Sequence, residues 1–178
     1  MTDSALRPAI LHDDGKHRCP WPGVDPLYVA YHDEEWGVPE RDSRALFEKL
    51  LLDGFQAGLS WITILRRRPT FRAAFRDFDI DAVADFDERD VERLMNDAGI
   101  IRNRAKIEAT ISNARVTREL ITTEPGALDR LVWSFAPAAA PRPPGLADVP
   151  AVTPEATALS AALKKRGYRF VGPTTMYA

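Results

Sequence analysis

Apolar residues recur along this chain at the three-and-four spacing of helices, and no stretch alternates cleanly with the period of two that marks a strand. Leu46, Phe47, Leu50 and Leu51 share one helical face, with Asp42 or Ser43 placed to cap it. After Gly54, residues 57–65 continue as a mostly apolar segment that closes at Arg66-Arg67-Arg68-Pro69. Phe71, Ala74, Phe75 and Phe78 form a further short stripe. Asp87 is placed to cap a helix over 88–97, and Gly99 suits the left-handed position just past its end. A longer helix is predicted from about Asn103 to Ile121, with Ile107, Ile111 and Ala114 on its apolar face. Leu128, Leu131, Val132 and Phe135 mark another, and Thr153 with Pro154 opens a last one that Gly167 ends. The pattern predicts an all-α fold of many short helices. Residues 1–17 are polar and aperiodic and read as a disordered or loosely ordered extension, leaving 18–178 as a single domain. Residues 136–150 carry five prolines, cannot form a continuous helix, and read as a surface connection.

Composition narrows the classes. A chain of 178 residues with 45% hydrophobic positions supports one buried core. No stretch approaches the roughly 20 apolar residues of a membrane span, so no membrane partner is expected. The one cysteine, Cys19, excludes an internal disulfide and fits a reduced, cytoplasmic setting. A formal net charge of −2 excludes a uniformly basic nucleic-acid binder. Any such contact must come from local runs such as Arg66-Arg67-Arg68, or Lys164-Lys165-Arg166 with Arg169, which equally suit solvated helix ends.

Four groupings carry chemical interest. Trp21, Tyr28, Tyr31, His32 and Trp36 fall within sixteen residues. They either pack as core or wall a pocket that stacks a flat ligand. Cys19 and His32 are zinc-type ligands, but a structural site needs four, so a buried thiol and a hydrogen-bonded histidine is the competing reading. Asp53 stands near Trp61 across a segment bearing Gly54 and Gly58. It reads either as a helix-terminus aspartate or as a carboxylate at the floor of an aromatic pocket. Between Asp97 and Lys106, one helix ends at Gly99 and another begins with Arg102, Arg104 and Lys106. That corner suits a phosphate, or is an ordinary helical turn with solvated cations.

Together these segments resemble the DNA-3-methyladenine glycosylase I family. The resemblance rests on Cys19-Pro-Trp21 and on Asp25-Pro-Leu-Tyr28-Val-Ala-Tyr31-His32-Asp-Glu-Glu35-Trp36-Gly37-Val-Pro. It extends through Gln56-Ala-Gly-Leu-Ser-Trp61-Ile-Thr, the 97–106 corner, Trp133-Ser-Phe135 and Leu163-Lys-Lys-Arg-Gly-Tyr-Arg-Phe-Val-Gly172. It implies a helix–hairpin–helix glycosylase fold, with a loop-rich N-terminal part packed on the C-terminus. It implies an enzyme that hydrolyses the N-glycosidic bond of 3-methyladenine in double-stranded alkylated DNA, leaving an abasic site, with no catalytic cofactor. A catalytically inactive DNA-binding or damage-sensing module of the same fold is the alternative. By the same resemblance, Asp53, Tyr31, Trp61, Trp21, Tyr28 and Glu35 form the catalytic and base-binding set. Asp53 stands where the family usually has Glu. Gln56, Gly58 and Leu59 fill the gap left by the flipped nucleotide, while Gly99, Arg102, Arg104 and Lys106 hold DNA. Asp129, downstream of Lys106, is expected at the surface. Cys19 and His32 match two ligands of a structural zinc whose other two are expected beyond this chain's last residues, in a C-terminal segment the chain lacks. A monomer that also binds free 3-methyladenine is expected.

Overall fold

The computed structural model describes residues 9–137 and 149–178. The expected surface connection over 136–150 lies largely outside the described residues, as does the first half of the N-terminal extension. Contacts divide the described chain into two units. Residues through Pro39, with Pro137 and 149–151, form the first; residues 40–136 and 152–178 form the second.

The first unit opens with a hairpin that corrects the expectation of a loose extension. Strand β1 (Ile10–Leu11) pairs antiparallel with β2 (His17–Arg18), Ile10 opposite Arg18 and Leu11 opposite His17. Two-residue strands are too short to show an alternation, so no period announced them. Polar groups hold the hairpin. The buried Arg18 guanidinium donates to Asp14 at 2.6 and 2.8 Å and to Asp33 at 2.6–3.0 Å. Asp33 belongs to α1 (Pro26–Glu34), so one arginine ties hairpin to helix. The Asp25 carboxylate caps α1 by accepting from the Leu27 and Tyr28 amides, and Pro26 sits at the first helical position.

The second unit is helical. α2 (Ser43–Gln56) is capped by Asp42 and runs through Gly54, burying Phe47, Leu50, Leu51, Leu52 and Phe55. α3 (Trp61–Ala74) carries Pro69 in its interior, where the sequence predicted a stop. An interior proline costs about 3 kcal/mol. Ending the helix there would expose Phe71, Ala74 and Phe75, which the structure buries against Phe55 and Phe78. A turn at Arg76–Phe78 then holds three consecutive residues at φ of 53–54°, strained for side chains with a Cβ. Full burial of Phe78 and a 2.9 Å bond from Arg44 Nη1 to the Asp77 carbonyl offset that strain.

α4 (Ile80–Ala84) and α5 (Glu88–Met95) follow, the latter opened by an Asp87–Asp90 capping box. α6 (Arg104–Thr123) is the central helix, packing against α2, α4, α5 and α7 (Ala127–Trp133). α8 (Pro154–Lys165) and α9 (Pro173–Tyr177) complete the unit. Three buried polar side chains pin the segment between them. Thr117 bonds Tyr168, Ser160 bonds the Val171 carbonyl, and Asn113 holds both the amide and the carbonyl of Arg169. The fold class is all-α, as the helical spacing predicts. Among the described residues no helix is long and apolar enough to cross a membrane.

Candidate active site

Asp53 lies one turn from the C-terminus of α2 with its side chain 6% exposed. An isolated carboxylate there would be costly, so it needs a cation. Lys49, one helical turn earlier, supplies it: Nζ stands 2.6 Å from both Asp53 oxygens. Burial pushes the Asp53 carboxyl above its ordinary range, and the Lys49 ammonium pulls part of the way back. The same ammonium sits 4.6 Å from the centroid of the Trp61 ring. The break between α2 and α3 brings Trp61 there. The Leu59 amide bonds the Gln56 carbonyl at 2.6 Å, Gly58 takes φ +85°, and the chain turns back into α3. Asp53 is therefore neither a helix terminus nor an N-cap. It is a buried carboxylate on α2, paired with an ammonium that also lies over an indole. Sequence reasoning missed Lys49, although its i, i+4 spacing to Asp53 was the available signal.

Two expectations about the 97–106 corner need correction. Lys106 is not turned toward a phosphate. It is 8% exposed, and its Nζ donates at 2.9 Å to both the Phe55 and Ala57 carbonyls. These are carbonyls at the end of α2, which lack donor partners within the helix, so an ammonium there satisfies them. Burial lowers the Lys106 pKa. Gly99 is not left-handed either. Its amide bonds Asp97 Oδ1 at 2.7 Å, and its carbonyl accepts from Thr70 Oγ1 at 2.7 Å. A Cβ there would lie 3.0 Å from the Thr70 Cβ, so the glycine answers a close approach rather than a dihedral. Arg104 is exposed and ion-paired to Glu88 at 2.6 Å and Glu108 at 3.7 Å. Arg102 is exposed. Asn103 caps α6 at the Lys106 amide, and by helix geometry the Arg104 and Ala105 amides have no acceptor within the helix. Leu59 is 42% exposed, and Gly58 beside it is exposed. Asp129 is a half-exposed surface residue, paired at 3.1 Å with Arg41, which lies 4.5 Å over the Trp133 ring.

The first unit carries the aromatic grouping. The resemblance implies a loop-rich N-terminal part, yet Tyr28, Tyr31 and His32 stand on α1 at i, i+3 and i+4. The Asp25-Pro26 pair was the signal for that helix. Trp21 is the hub, its ring centroid 4.8 Å from Tyr28, 6.3 Å from Tyr31, 5.1 Å from His32 and 5.4 Å from Trp36. Burial raises the Tyr28 hydroxyl pKa. Trp36 is 47% exposed and stacks on His32. Glu35 ends α1, its amide bonding the Tyr31 carbonyl. His32 Nδ1 lies 2.9 Å from Asp33, and its Nε2 accepts from the Cys19 amide at 3.4 Å. A carboxylate behind a histidine suits metal ligation. A tetrahedral zinc site needs four donors, however, and Cys19 with His32 supplies two. Among the described residues no group of three or more His, Cys, Asp or Glu is placed to hold a metal. The residues present do not by themselves fit zinc.

Known proteins share both units. The family described as "Methyladenine glycosylase" matches residues 21–178. DNA-3-methyladenine glycosylase 1 of Escherichia coli strain K12 is 51% identical over 163 residues, covering 90% of this chain and 87% of that protein. A crystal structure of 3-methyladenine DNA glycosylase I superposes with a TM-score of 0.85 at 50% identity, covering 90% of this chain and 88% of the other. A structure of 3-methyladenine DNA glycosylase I from Staphylococcus aureus, which addresses 3-methyladenine recognition, gives 0.83 at 35% identity, over 90% and 86%. With half the residues shared across nine-tenths of the chain, and the fold shared with them, this protein belongs to the methyladenine glycosylase family.

Proposed function

We propose that the protein excises 3-methyladenine from alkylated double-stranded DNA by hydrolysing the N-glycosidic bond, leaving an abasic site. The observation that carries the reading is the buried Asp53 carboxylate, joined through the Lys49 ammonium to the Trp61 ring, in a chain half identical to a named glycosylase. The target nucleotide leaves the stack, at less cost for a damaged base than for an intact one. N3-methylation places positive charge on adenine. A carboxylate and an indole favour that cation over neutral adenine, the ring by on the order of 1–2 kcal/mol when desolvated. Within the first unit, Trp21, Tyr28, Tyr31 and Glu35 are the base-recognition candidates, since electron-rich rings and an acid suit a flat cation. The charged base is a good leaving group. It departs with the electron pair of the glycosidic bond while water adds to the sugar carbon and releases a proton. Selectivity and positioning are then the protein's main tasks.

Leu59 and Gly58, on the exposed loop after α2, suit the gap left by the flipped nucleotide, with Gln56 at its base. Arg102 and the open first turn of α6, behind the Gly99 turn, suit a backbone phosphate; Arg104, already paired, contributes less. No step is assigned to zinc or to any catalytic cofactor. A monomer acting in the cytoplasm on DNA, with free 3-methyladenine as product ligand, completes the proposal. The test is release of 3-methyladenine from methylated duplex in the presence of a chelator. Release is expected. A folded protein that binds methylated duplex without releasing base would overturn the reading in favour of a damage-sensing module.

A further inference from the structure

The Lys49 ammonium is itself a cation held between a carboxylate and an aromatic face, 2.6 Å from both Asp53 oxygens and 4.6 Å from the Trp61 ring centroid. Those are the two groups to which the proposed function assigns the positively charged base. We infer that Lys49 is a specificity-determining residue. It occupies the seat of the cationic purine in the empty protein and is exchanged for it on binding. The inference rests on the base-recognition role of Asp53 and deepens it.

The asymmetry of the pair supports the exchange. Asp53 is 6% exposed and fixed on α2, whereas the Lys49 side chain is 38% exposed on a flexible four-carbon stem. Only the lysine has somewhere to go. A buried carboxylate left without a counter-charge is strongly unfavourable, so the empty site needs Lys49. A methylated adenine brings its own charge and releases the lysine to water. A neutral purine cannot, because displacing Lys49 would strand Asp53. The exchange thus discriminates by charge and weakens binding of the correct base by the work of removing the lysine.

The test uses 3,9-dimethyladeninium, a cationic purine with no sugar to lose, and neutral 3-methyladenine, at mildly alkaline pH. Binding is followed by titration calorimetry. Lys49→Met should bind the cation more tightly by on the order of tenfold, the factor carried by about 1.4 kcal/mol. Its affinity for the neutral base should change much less, and Lys49→Arg should retain wild-type behaviour toward both. Unchanged or weaker cation binding by folded Lys49→Met, with Asp53→Asn still losing cation affinity, overturns the exchange and leaves Asp53 in base recognition. Undiminished cation binding by folded Asp53→Asn overturns both. Should Lys49→Met not fold, acetylation of Lys49 in the wild type decides. The cation should accelerate it, and an unchanged or slower rate refutes the exchange.

Discussion

Lys106→Met tests whether the helical corner supports the loop after α2. The substitution keeps most of the aliphatic stem and removes the ammonium. Two charge-assisted bonds disappear, 2.9 Å to the Phe55 carbonyl and 2.9 Å to the Ala57 carbonyl, and both oxygens are left at the end of α2. Hydrogen bonds to a charged group contribute about 1.5–3 kcal/mol each. Part of that is returned, because the buried ammonium is itself desolvated, as its lowered pKa records. The expected loss is about 2–4 kcal/mol. For a chain of this size that is a drop of about 4–16 °C in melting temperature. Circular dichroism melts measure it, and hydrogen exchange locates it at the Leu59 amide, whose bond to Gln56 closes the loop. The pH dependence has a definite sign. The folded-state pKa lies below the unfolded one, so between them the unfolded chain binds more protons. The wild type should therefore gain stability relative to Lys106→Met as pH rises toward the ordinary lysine range. A folded variant with an unchanged melt and unchanged exchange at Leu59 would refute the supporting role. A selective loss of phosphate affinity in that background would return Lys106 to the DNA.

Three further outcomes follow from the same geometry. Asp53→Asn should lower kcat/KM for excision by about 10²–10³, the usual cost of removing one preorganised electrostatic group. Because burial raises the Asp53 pKa, wild-type excision should fall with acidification above the normal carboxylate range, and the variant should lack that limb. Asn113→Leu removes both bonds to Arg169, at 2.8 and 3.0 Å, and orphans two backbone groups. It should cost about 2–4 kcal/mol, read from the urea midpoint. Gly99→Ala forces a methyl to within 3.0 Å of Thr70 Cβ and Asp97 Oδ1, so about 1–3 kcal/mol should be lost in a thermal melt.

The helices were legible where local chemistry sets them. Asp42, Asp87, Asn103 and Thr153 each cap the helix that the apolar spacing outlines. Three misreadings share one cause: a tertiary contact overrode a local preference. Pro69 stays inside α3 because Phe71 and Phe75 have a core to fill. Gly99 is there for Thr70, and Lys106 points inward because α2 ends beside it. The aromatic and carboxylate groupings were visible as residue types, and family resemblance joined them. What no list of residue types could supply was the state of Asp53. A carboxylate near an indole reads as a vacant seat for a cation, whereas the folded chain has filled it with Lys49. That changes what selectivity means for such a site. A bare buried carboxylate would be costly to fold and would accept any cation that reached it. A carboxylate held by a lysine folds at less cost, and it yields only to a ligand that offers both positive charge and a flat face for Trp61.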